Sequence, residues 1–297
     1  MTPSANTSPG PAGGAALVPA LLRLVRFEHT VFALPFAFAG ALLAELAVPP
    51  AATLGWILLA MVGARSLAMA LNRLIDRHID ARNPRTASRE LPAGVLRVGQ
   101  VWWFAAVSLA ALLVAVSQLP RITWALWPIP VAGFVLYPYA KRFTWLCHVI
   151  LGMVIGLAPV GGWIAVTGEF AVAPLLMGAA VAAWIGGFDI IYALLDRDFD
   201  LAHGVHSVPA RFGVSGALRL AQFMHLVAIV LLAAAGVAAG AGWWYQIGVA
   251  VCAAILVYEH ATVDPDDQAT VQAAFGRANM VLAIVFIAFV IIEVVLS

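Results

Sequence analysis

Charged side chains are scarce in this chain. Asp, Glu, Lys and Arg make up 10% of its 297 residues, whereas 63% are hydrophobic, and the mean hydropathy is +0.97. Soluble domains have about 25% charged and about 45–50% apolar residues. The composition therefore argues against an ordinary soluble domain and predicts a polytopic membrane protein. The net charge of +1 gives no basic surplus, so we expect no nucleic-acid partner.

Cysteine is nearly absent as well. Cys147 and Cys252 lie in apolar runs without CxxC or metal-binding spacing, and we interpret them as buried small hydrophobic residues. Residues 1–20 contain no basic residue before their apolar part, which is atypical of a signal peptide. Because they are rich in Pro, Gly, Ala and Ser, we predict a disordered tail over 1–20. Residues 21–297 then form a single transmembrane domain.

Long apolar runs fill the remaining chain. A membrane-spanning helix needs about 20 mostly apolar residues. Nine segments meet this requirement: 30–48, 54–74, 101–119, 123–140, 145–166, 173–195, 216–239, 242–259 and 276–296. We therefore predict an all-α protein with nine transmembrane helices. The connections alternate between short, nearly uncharged segments and long segments that hold most of the polar residues.

Basic residues are concentrated in the long connections. The opposite connections contain essentially Arg121 alone. Because cytoplasmic loops carry an excess of Lys and Arg, the N-terminus and the long loops are predicted to face the cytoplasm, and the C-terminus to face outwards.

The acids repeat in a pattern. Residues 72–80 read NRLIDRHID, residues 192–200 read YALLDRDFD, and each segment closes a long apolar run. Residues four apart share a face of a helix. Asn72, Asp76 and Asp80 are therefore predicted to form one stripe.

The second segment predicts a matching stripe. Tyr192, Asp196 and Asp200 have the same spacing, and Asp189 lies seven residues before Asp196 on nearly the same face. Asp198 points away from this stripe, so we interpret it as a solvated residue paired with a neighbouring arginine.

Two acid stripes in one bundle suggest a metal site. Acids at the mouth of a membrane bundle are costly and usually face a polar cavity. Mg²⁺ typically takes one or two protein carboxylates together with substrate phosphates. We therefore predict two Mg²⁺ ions bridging a diphosphate, with protein ligands among Asn72, Asp76, Asp80, Asp196 and Asp200.

Basic residues on the same predicted side suit the phosphate oxygens. The candidate diphosphate-binding residues are Arg26, Arg85, Arg89, Lys141, Arg142 and His206. Cations and metal would stabilise negative charge on a departing diphosphate. Inside an apolar bundle the group that leaves diphosphate should be lipid-like, and an allylic prenyl group ionises readily. Aromatic faces could shelter its cation.

Two other classes remain as alternatives. An ion-coupled transporter would also carry intramembrane acids, but it is expected to show inverted repeats and broken helices at the midplane. Here each motif ends an even-numbered span, so the repeat is parallel. A structural membrane scaffold would not need the acids.

The two segments in full, NRLIDRHIDARNPRTASRELPAG and GFDIIYALLDRDFDLAHGVHSVPARFG, resemble the signature loops of the UbiA family of intramembrane aromatic prenyltransferases. The first matches the family's N-x3-D-x3-D motif, followed by its NPRT and L-P-x-G elements. The second matches its D-x3-D motif, and YPYAKRFT at 137–144 resembles its YP-x2-KR-x-T segment.

This resemblance implies a fold, a reaction and a set of residues. The fold would be nine helices around a central cavity that opens sideways to lipid. The reaction would be Mg²⁺-dependent transfer of a polyprenyl group from its diphosphate to a small aromatic acid, such as 4-hydroxybenzoate in ubiquinone biosynthesis, at a cell inner membrane. The implied catalytic residues are Asn72, Asp76, Asp80, Asp189, Tyr192, Asp196 and Asp200.

One position departs from the 4-hydroxybenzoate branch. That branch typically has G-I-K-S after the second motif, whereas this chain has GVHS, with His206 in place of Lys. The ending resembles a sister branch that prenylates a hydroxynaphthoate for menaquinone. The acceptor therefore stays open between these two classes, and the haem and chlorophyll branches fit the loops less well.

Overall fold

The computed structural model describes residues 13–25 and 33–296. All regular structure in these ranges is helical, which confirms the predicted all-α class. The α-helices in chain order are α1 (Leu17–Val25), α2 (Leu34–Leu43), α3 (Ala51–Arg82), α4 (Val98–Ser117), α5 (Arg121–Leu126), α6 (Pro128–Ala140), α7 (Cys147–Thr167), α8 (Val172–Ala193), α9 (Arg197–His203), α10 (Val208–Ala239), α11 (Trp243–Thr262), α12 (Gln268–Ala273) and α13 (Asn279–Leu296). The 3₁₀ turns Gly14–Ala16 and Leu194–Asp196 and the π-helix Ala274–Ala278 complete the order.

The N-terminal prediction meets the described residues only in part. Residues 1–12 of the predicted tail lie outside them, as does Arg26. Helix α1 begins at Leu17, so residues 17–20 are helical rather than part of a disordered tail. Leu21 and Leu24 are buried in a cluster with apolar residues of α3 and α4, which explains why this segment is ordered.

Six helical segments are long and apolar enough to cross a membrane: Ala51–Arg82, Val98–Ser117, Cys147–Thr167, Val172–His203, Val208–Ala239 and Gln268–Leu296. Each matches a predicted span, so the described residues support a multi-pass protein. The other three predicted spans correspond to the ten-residue α2, to α5 and α6 together, and to α11. The number nine is therefore not confirmed.

Small residues let three helices approach closely. A Cβ atom added to Gly156 on α7 would lie 2.4 Å from the carbonyl oxygen of Gly178 on α8. A Cβ atom on Gly162 would lie 1.9 Å from the carbonyl oxygen of Ala37 on α2. Membrane helices commonly associate through such small residues. Helix α7 is thereby fixed between α2 and α8, and it presents its remaining face to the site described below.

Candidate active site

A cavity of about 570 Å³ runs along the bundle and is lined by residues of α3, α6, α7 and α8. Ile57 and Asp80, 23 residues apart on α3 (80 minus 57), both line it. At 1.5 Å per residue they are separated by about 35 Å along the helix, which exceeds the roughly 30 Å thickness of a bilayer hydrocarbon core. The wall near Ile57 is apolar, whereas charged residues gather where α3 and α8 end.

Helix α3 places the first acid motif as predicted. Asn72, Asp76 and Asp80 all line the cavity, and the Asn72 amide donates a hydrogen bond to Asp76 Oδ2 over 2.9 Å. Lys141 Nζ, from the loop after α6, donates to the same oxygen over 2.6 Å. The Arg142 guanidinium lies 3.5 Å from Asp76 Oδ1. The Asp76 side chain is only 2% exposed, so these cations offset the cost of burying its charge.

Asp80 is held by the loop that follows its own helix. Arg89 Nη1 lies 2.8 Å from Asp80 Oδ1, and Arg73 Nη1 lies 4.0 Å from Oδ2. The carboxyl end of a helix carries partial negative charge, which disfavours an acid there. Arg89 compensates for this. The turn that brings it back is anchored by the Thr86 hydroxyl, which donates to the Asp80 carbonyl over 2.9 Å.

Arg85 crosses the cavity to the second motif. Its Nε donates to Asp196 Oδ1 over 2.8 Å, and its Nη2 donates to Oδ2 in a bidentate pair. Its Nη1 donates to the Tyr192 hydroxyl over 2.8 Å, and Asn83 also donates to Asp196. Burial lowers the pKa of Arg85, but its bonds to Asp196 and Tyr192 outweigh that effect and raise this pKa above its ordinary value. The two motifs are thus physically joined.

The second stripe is not one regular helix, which corrects the prediction. Helix α8 ends at Ala193, the 3₁₀ turn Leu194–Asp196 follows, and α9 continues from Arg197. Asp200 is buried and lines the cavity. The Asp198 side chain is 94% exposed and pairs with Arg197 at 3.1 Å, in agreement with its expected solvated position.

A glycine turn after α9 brings His206 to the cavity. Gly204 adopts a φ of 66° and closes the helix, a conformation that costs glycine little. The His206 backbone N–H then donates to the Lys141 carbonyl over 2.7 Å. The His206 side chain is exposed but lines the cavity. This loop therefore fixes the position of Lys141.

Asp189 lies deeper and has a different partner. Its Oδ2 is 2.7 Å from Nδ1 of His148 on α7. Both residues line the cavity. The ion pairs of Asp76, Asp80 and Asp196 are with Lys or Arg, whereas Asp189 pairs with a histidine.

Carboxylate oxygens are ligands that Mg²⁺ prefers, although the acids alone do not surround a metal position. In the described ranges, no three His, Cys, Asp or Glu side chains converge on a point that could hold a metal ion. Two buried carboxylate oxygens, Asp76 Oδ1 and Asp80 Oδ2, have no hydrogen-bond donor there. Carboxylate oxygens that accept no hydrogen bond suit a Mg²⁺ ion that takes its other ligands from substrate phosphates. The Asn72 amide N–H donates to Asp76 Oδ2, so Asn72 can orient this carboxylate; its assignment as a Mg²⁺ ligand stays a prediction.

Three cavity residues were missed by the sequence analysis. Arg65 lies within the α3 span, and an arginine inside an apolar run is a signal from which this site residue could have been predicted. His148 gave too weak a signal as a single histidine in an apolar segment. Phe275 lines the cavity from the π-helix and stacks on Tyr192 with ring centroids 4.1 Å apart, and local sequence does not reveal a π-helix.

Comparisons with known proteins show which family the chain is similar to. Residues 33–290 match the model of the UbiA prenyltransferase family. A 4-hydroxybenzoate octaprenyltransferase of Aromatoleum aromaticum is 32% identical over 95% of this chain and 96% of its own length. The mitochondrial 4-hydroxybenzoate polyprenyltransferase of Schizosaccharomyces pombe is 34% identical over 68% of this chain and 58% of its own.

Solved structures share the fold. The apo structure of a UbiA homologue from Aeropyrum pernix K1 superposes with a TM-score of 0.82 at 34% identity, covering 90% of this chain and 98% of that one. A UbiA homologue from Archaeoglobus fulgidus bound to GPP and Mg²⁺ has a TM-score of 0.66 at 19% identity, over 93% and 99% of the two chains. From the family match over most of its length and from relatives above 30% identity, we conclude that this chain is a multi-pass membrane prenyltransferase of the UbiA family.

Proposed function

We propose that the protein transfers a polyprenyl group from its diphosphate to a hydroxylated aromatic acid of the 4-hydroxybenzoate type, with Mg²⁺ as cofactor, in respiratory quinone biosynthesis. The observation that carries this proposal is the arrangement of the cavity. Two acid motifs and their basic partners stand at one end of a cavity about 35 Å long, whose wall near the other end is apolar. That arrangement suits a molecule with a diphosphate head and a long hydrocarbon tail.

Mg²⁺ would be held by Asp76, Asp80, Asp196 and Asp200 together with the diphosphate. When bound, it would neutralise the diphosphate and stabilise charge on it as a leaving group. Asp76 Oδ1 and Asp80 Oδ2 support this assignment, because within the described residues they accept no hydrogen bond and have only long ion-pair contacts, at 3.5 and 4.0 Å. So does the Mg²⁺ found with GPP in the A. fulgidus homologue, which shares the fold.

Arg85, Arg89 and Lys141 would bind the diphosphate oxygens. All three line the cavity, and each already reaches an acid that belongs to the proposed metal set. Arg142 does not line the cavity, but it donates to the Ile75 carbonyl over 2.7 Å and faces Asp76. It would act by supporting Asp76. Arg26 remains a proposed member of the set.

Arg65 is our candidate for the acceptor carboxylate. It lines the cavity on α3, 11 residues before Asp76 (76 minus 65), which is about 16 Å further into the bundle. Arginines at this depth are rare and commonly mark binding sites, and a guanidinium matches the geometry of a carboxylate. An aromatic acid bound there would lie between Arg65 and the diphosphate residues.

The acceptor has two candidate classes. The relatives named as 4-hydroxybenzoate prenyltransferases favour 4-hydroxybenzoate. A hydroxynaphthoate used for menaquinone is the second candidate, because His206 stands where the 4-hydroxybenzoate branch typically has Lys and because its side chain lines the cavity. His206→Lys is expected to retain donor binding and to favour 4-hydroxybenzoate.

The proposed setting is a cell inner membrane. Nine helices would cross it, with α2, the α5–α6 pair and α11 added to the six long segments. The N-terminus and both motif loops would face the cytoplasm, because basic residues are concentrated on that side.

The test uses the full-length protein purified in detergent. It is incubated with farnesyl diphosphate and Mg²⁺, and with 4-hydroxybenzoate and 1,4-dihydroxy-2-naphthoate in separate reactions, and the products are identified by mass. We expect a C-prenylated product from one acceptor and none when Mg²⁺ is chelated. If neither acceptor is prenylated while reconstituted vesicles show ion-coupled solute uptake, the transporter alternative would replace this proposal.

A further inference from the structure

We propose that Asp189 is the base that removes the ring proton of the aromatic acceptor, and that His148 holds Asp189 in the orientation this step requires. The inference rests on the proposed function and assigns a step that the diphosphate-binding residues do not perform. Its basis is the hydrogen-bonded pair that these two residues form on the cavity wall.

The pair has a defined hydrogen-bond direction. The backbone N–H of Val208 can only donate, and it lies 3.3 Å from His148 Nε2. Nε2 therefore acts as the acceptor, and the proton of a neutral imidazole is on Nδ1. Nδ1 is 2.7 Å from Asp189 Oδ2, so His148 donates and Asp189 accepts as a carboxylate. The hydrogen bond that one ring nitrogen makes sets which nitrogen carries the proton.

The other oxygen of Asp189 is available to a substrate. Within the described ranges, Oδ1 has no hydrogen bond, and it is not among the buried atoms that lack one. The side chain of Asp189 is 25% exposed, whereas that of His148 is 5% exposed. His148 is thus buried behind Asp189, and the carboxylate faces the cavity.

The depth of Asp189 separates it from the diphosphate site. It lies seven residues before Asp196, which is about 10 Å further into the bundle. Ile185 and Phe188, four and one residues before it on α8, are apolar and also line the cavity. A carboxylate at this depth suits the ring that receives the prenyl group better than it suits the diphosphate that departs.

The step balances without any added reactant. The bond from prenyl C1 to the diphosphate oxygen breaks, and the diphosphate leaves with the bonding electrons. The ring carbon beside the hydroxyl forms a bond to C1. The C–H bond at that carbon then breaks, its electron pair restores the aromatic ring, and the proton goes to Asp189 Oδ1. Solvent later takes the proton from Asp189.

The test compares acceptor with hydrogen or deuterium on the ring. The full-length protein is assayed with farnesyl diphosphate and 4-hydroxybenzoate, or with the naphthoate if that is the acceptor used. In the wild type, proton loss should follow the slow step, so the two isotopologues should react at equal rates. Asp189→Asn keeps the size of the side chain but removes the base. Because a positioned base contributes about 10²- to 10⁴-fold, kcat should fall by that factor, and a primary isotope effect should appear.

Variants of His148 test whether this residue positions Asp189. His148→Ala should lower kcat and reveal the same isotope effect, because Asp189 loses its donor. In His148→Asn, the amide N–H takes about the place of Nδ1–H, so most of the rate should return. A merely structural role would lower the melting temperature without an isotope effect. Asp198→Asn, an exposed acid in the next segment, is the matched control and should leave rates and isotope effect unchanged.

The outcomes separate this inference from the proposed function. Diphosphate release in the absence of acceptor should survive in Asp189→Asn, since ionisation does not use this carboxylate. Wild-type turnover combined with a fast Asp189→Asn, or with a slow one that lacks an isotope effect, would overturn the inference and leave the proposed function standing. A wild-type protein that prenylates neither acceptor would overturn both.

Discussion

Asn72 provides the most direct test of how the first acid motif is organised. Its amide donates to Asp76 Oδ2 over 2.9 Å, and the acceptor is a carboxylate with 2% exposure. Asn72→Ala removes this donor without removing any charge. We expect the variant to bind Mg²⁺ less tightly, because Asp76 Oδ2 keeps Lys141 but loses one of its two donors, so the carboxylate is held less firmly.

The size of the effect follows from the bond that is lost. A hydrogen bond to a charged group contributes about 1.5–3 kcal/mol, and about 1.4 kcal/mol corresponds to a tenfold change. The expected loss is therefore about 10- to 150-fold. Residues that orient a metal ligand typically change metal affinity or activity by about 10- to 100-fold, which agrees with this range.

The assay is a Mg²⁺ titration of the prenyl-transfer rate at saturating farnesyl diphosphate. The midpoint of activation should rise by about 10- to 100-fold in Asn72→Ala, and high Mg²⁺ should restore most of the rate. Asn72→Asp also loses the donor and adds a negative charge beside Asp76, so we expect it to be less stable without Mg²⁺. A midpoint that stays at the wild-type value in Asn72→Ala would refute the orienting role.

Three further predictions address the second motif, the topology and the π-helix. Asp196→Ala should abolish turnover while the protein still folds, and Asp198→Asn should keep nearly the wild-type rate; steady-state kinetics of both variants, with melting temperatures as a control for folding, decide this. A cysteine at the exposed position Ser88 should react with a membrane-impermeant maleimide only in inside-out vesicles, and labelling only in right-side-out vesicles would reverse the topology. Asn279→Ala should lower the free energy of unfolding by about 1–3 kcal/mol. The reason is that the buried Asn279 amide donates to the Ala274 carbonyl over 2.8 Å and accepts from the Trp184 indole N–H over 2.7 Å. An unchanged melting temperature would contradict this.

The first acid motif could be predicted from the sequence because it lies on a regular helix. Asn72, Asp76 and Asp80 are spaced by four residues within α3, which is helical without interruption from Ala51 to Arg82. The apolar run fixes the helix, and helical periodicity then fixes the shared face. No tertiary contact is needed for this conclusion.

The second motif could be predicted only in part. Helical periodicity predicts that Asp189, Asp196 and Asp200 share one face of a helix, but the 3₁₀ turn Leu194–Asp196 interrupts that helix. No glycine or proline in this segment signals the change. Asp196 is instead held by Asn83 and Arg85, which come from a loop more than 100 residues earlier. A contact between residues so far apart in the chain cannot be predicted from the residues around Asp196.

The choice of partner for each acid also depends on the tertiary structure. Arg85 is only five residues from Asp80 in sequence, yet it pairs across the cavity with Asp196. Arg89, nine residues from Asp80, turns back to it instead. Charge alone would allow either arrangement, since both arginines are on the same side of the membrane. The difference arises because Asn83 ends the helix in an extended conformation and its side chain accepts from the Arg85 backbone N–H over 2.9 Å. That bond fixes the backbone from which Arg85 extends towards Asp196. The contact between the two acid motifs therefore depends on the backbone conformation at the end of α3 as well as on the charges of Arg85 and Asp196.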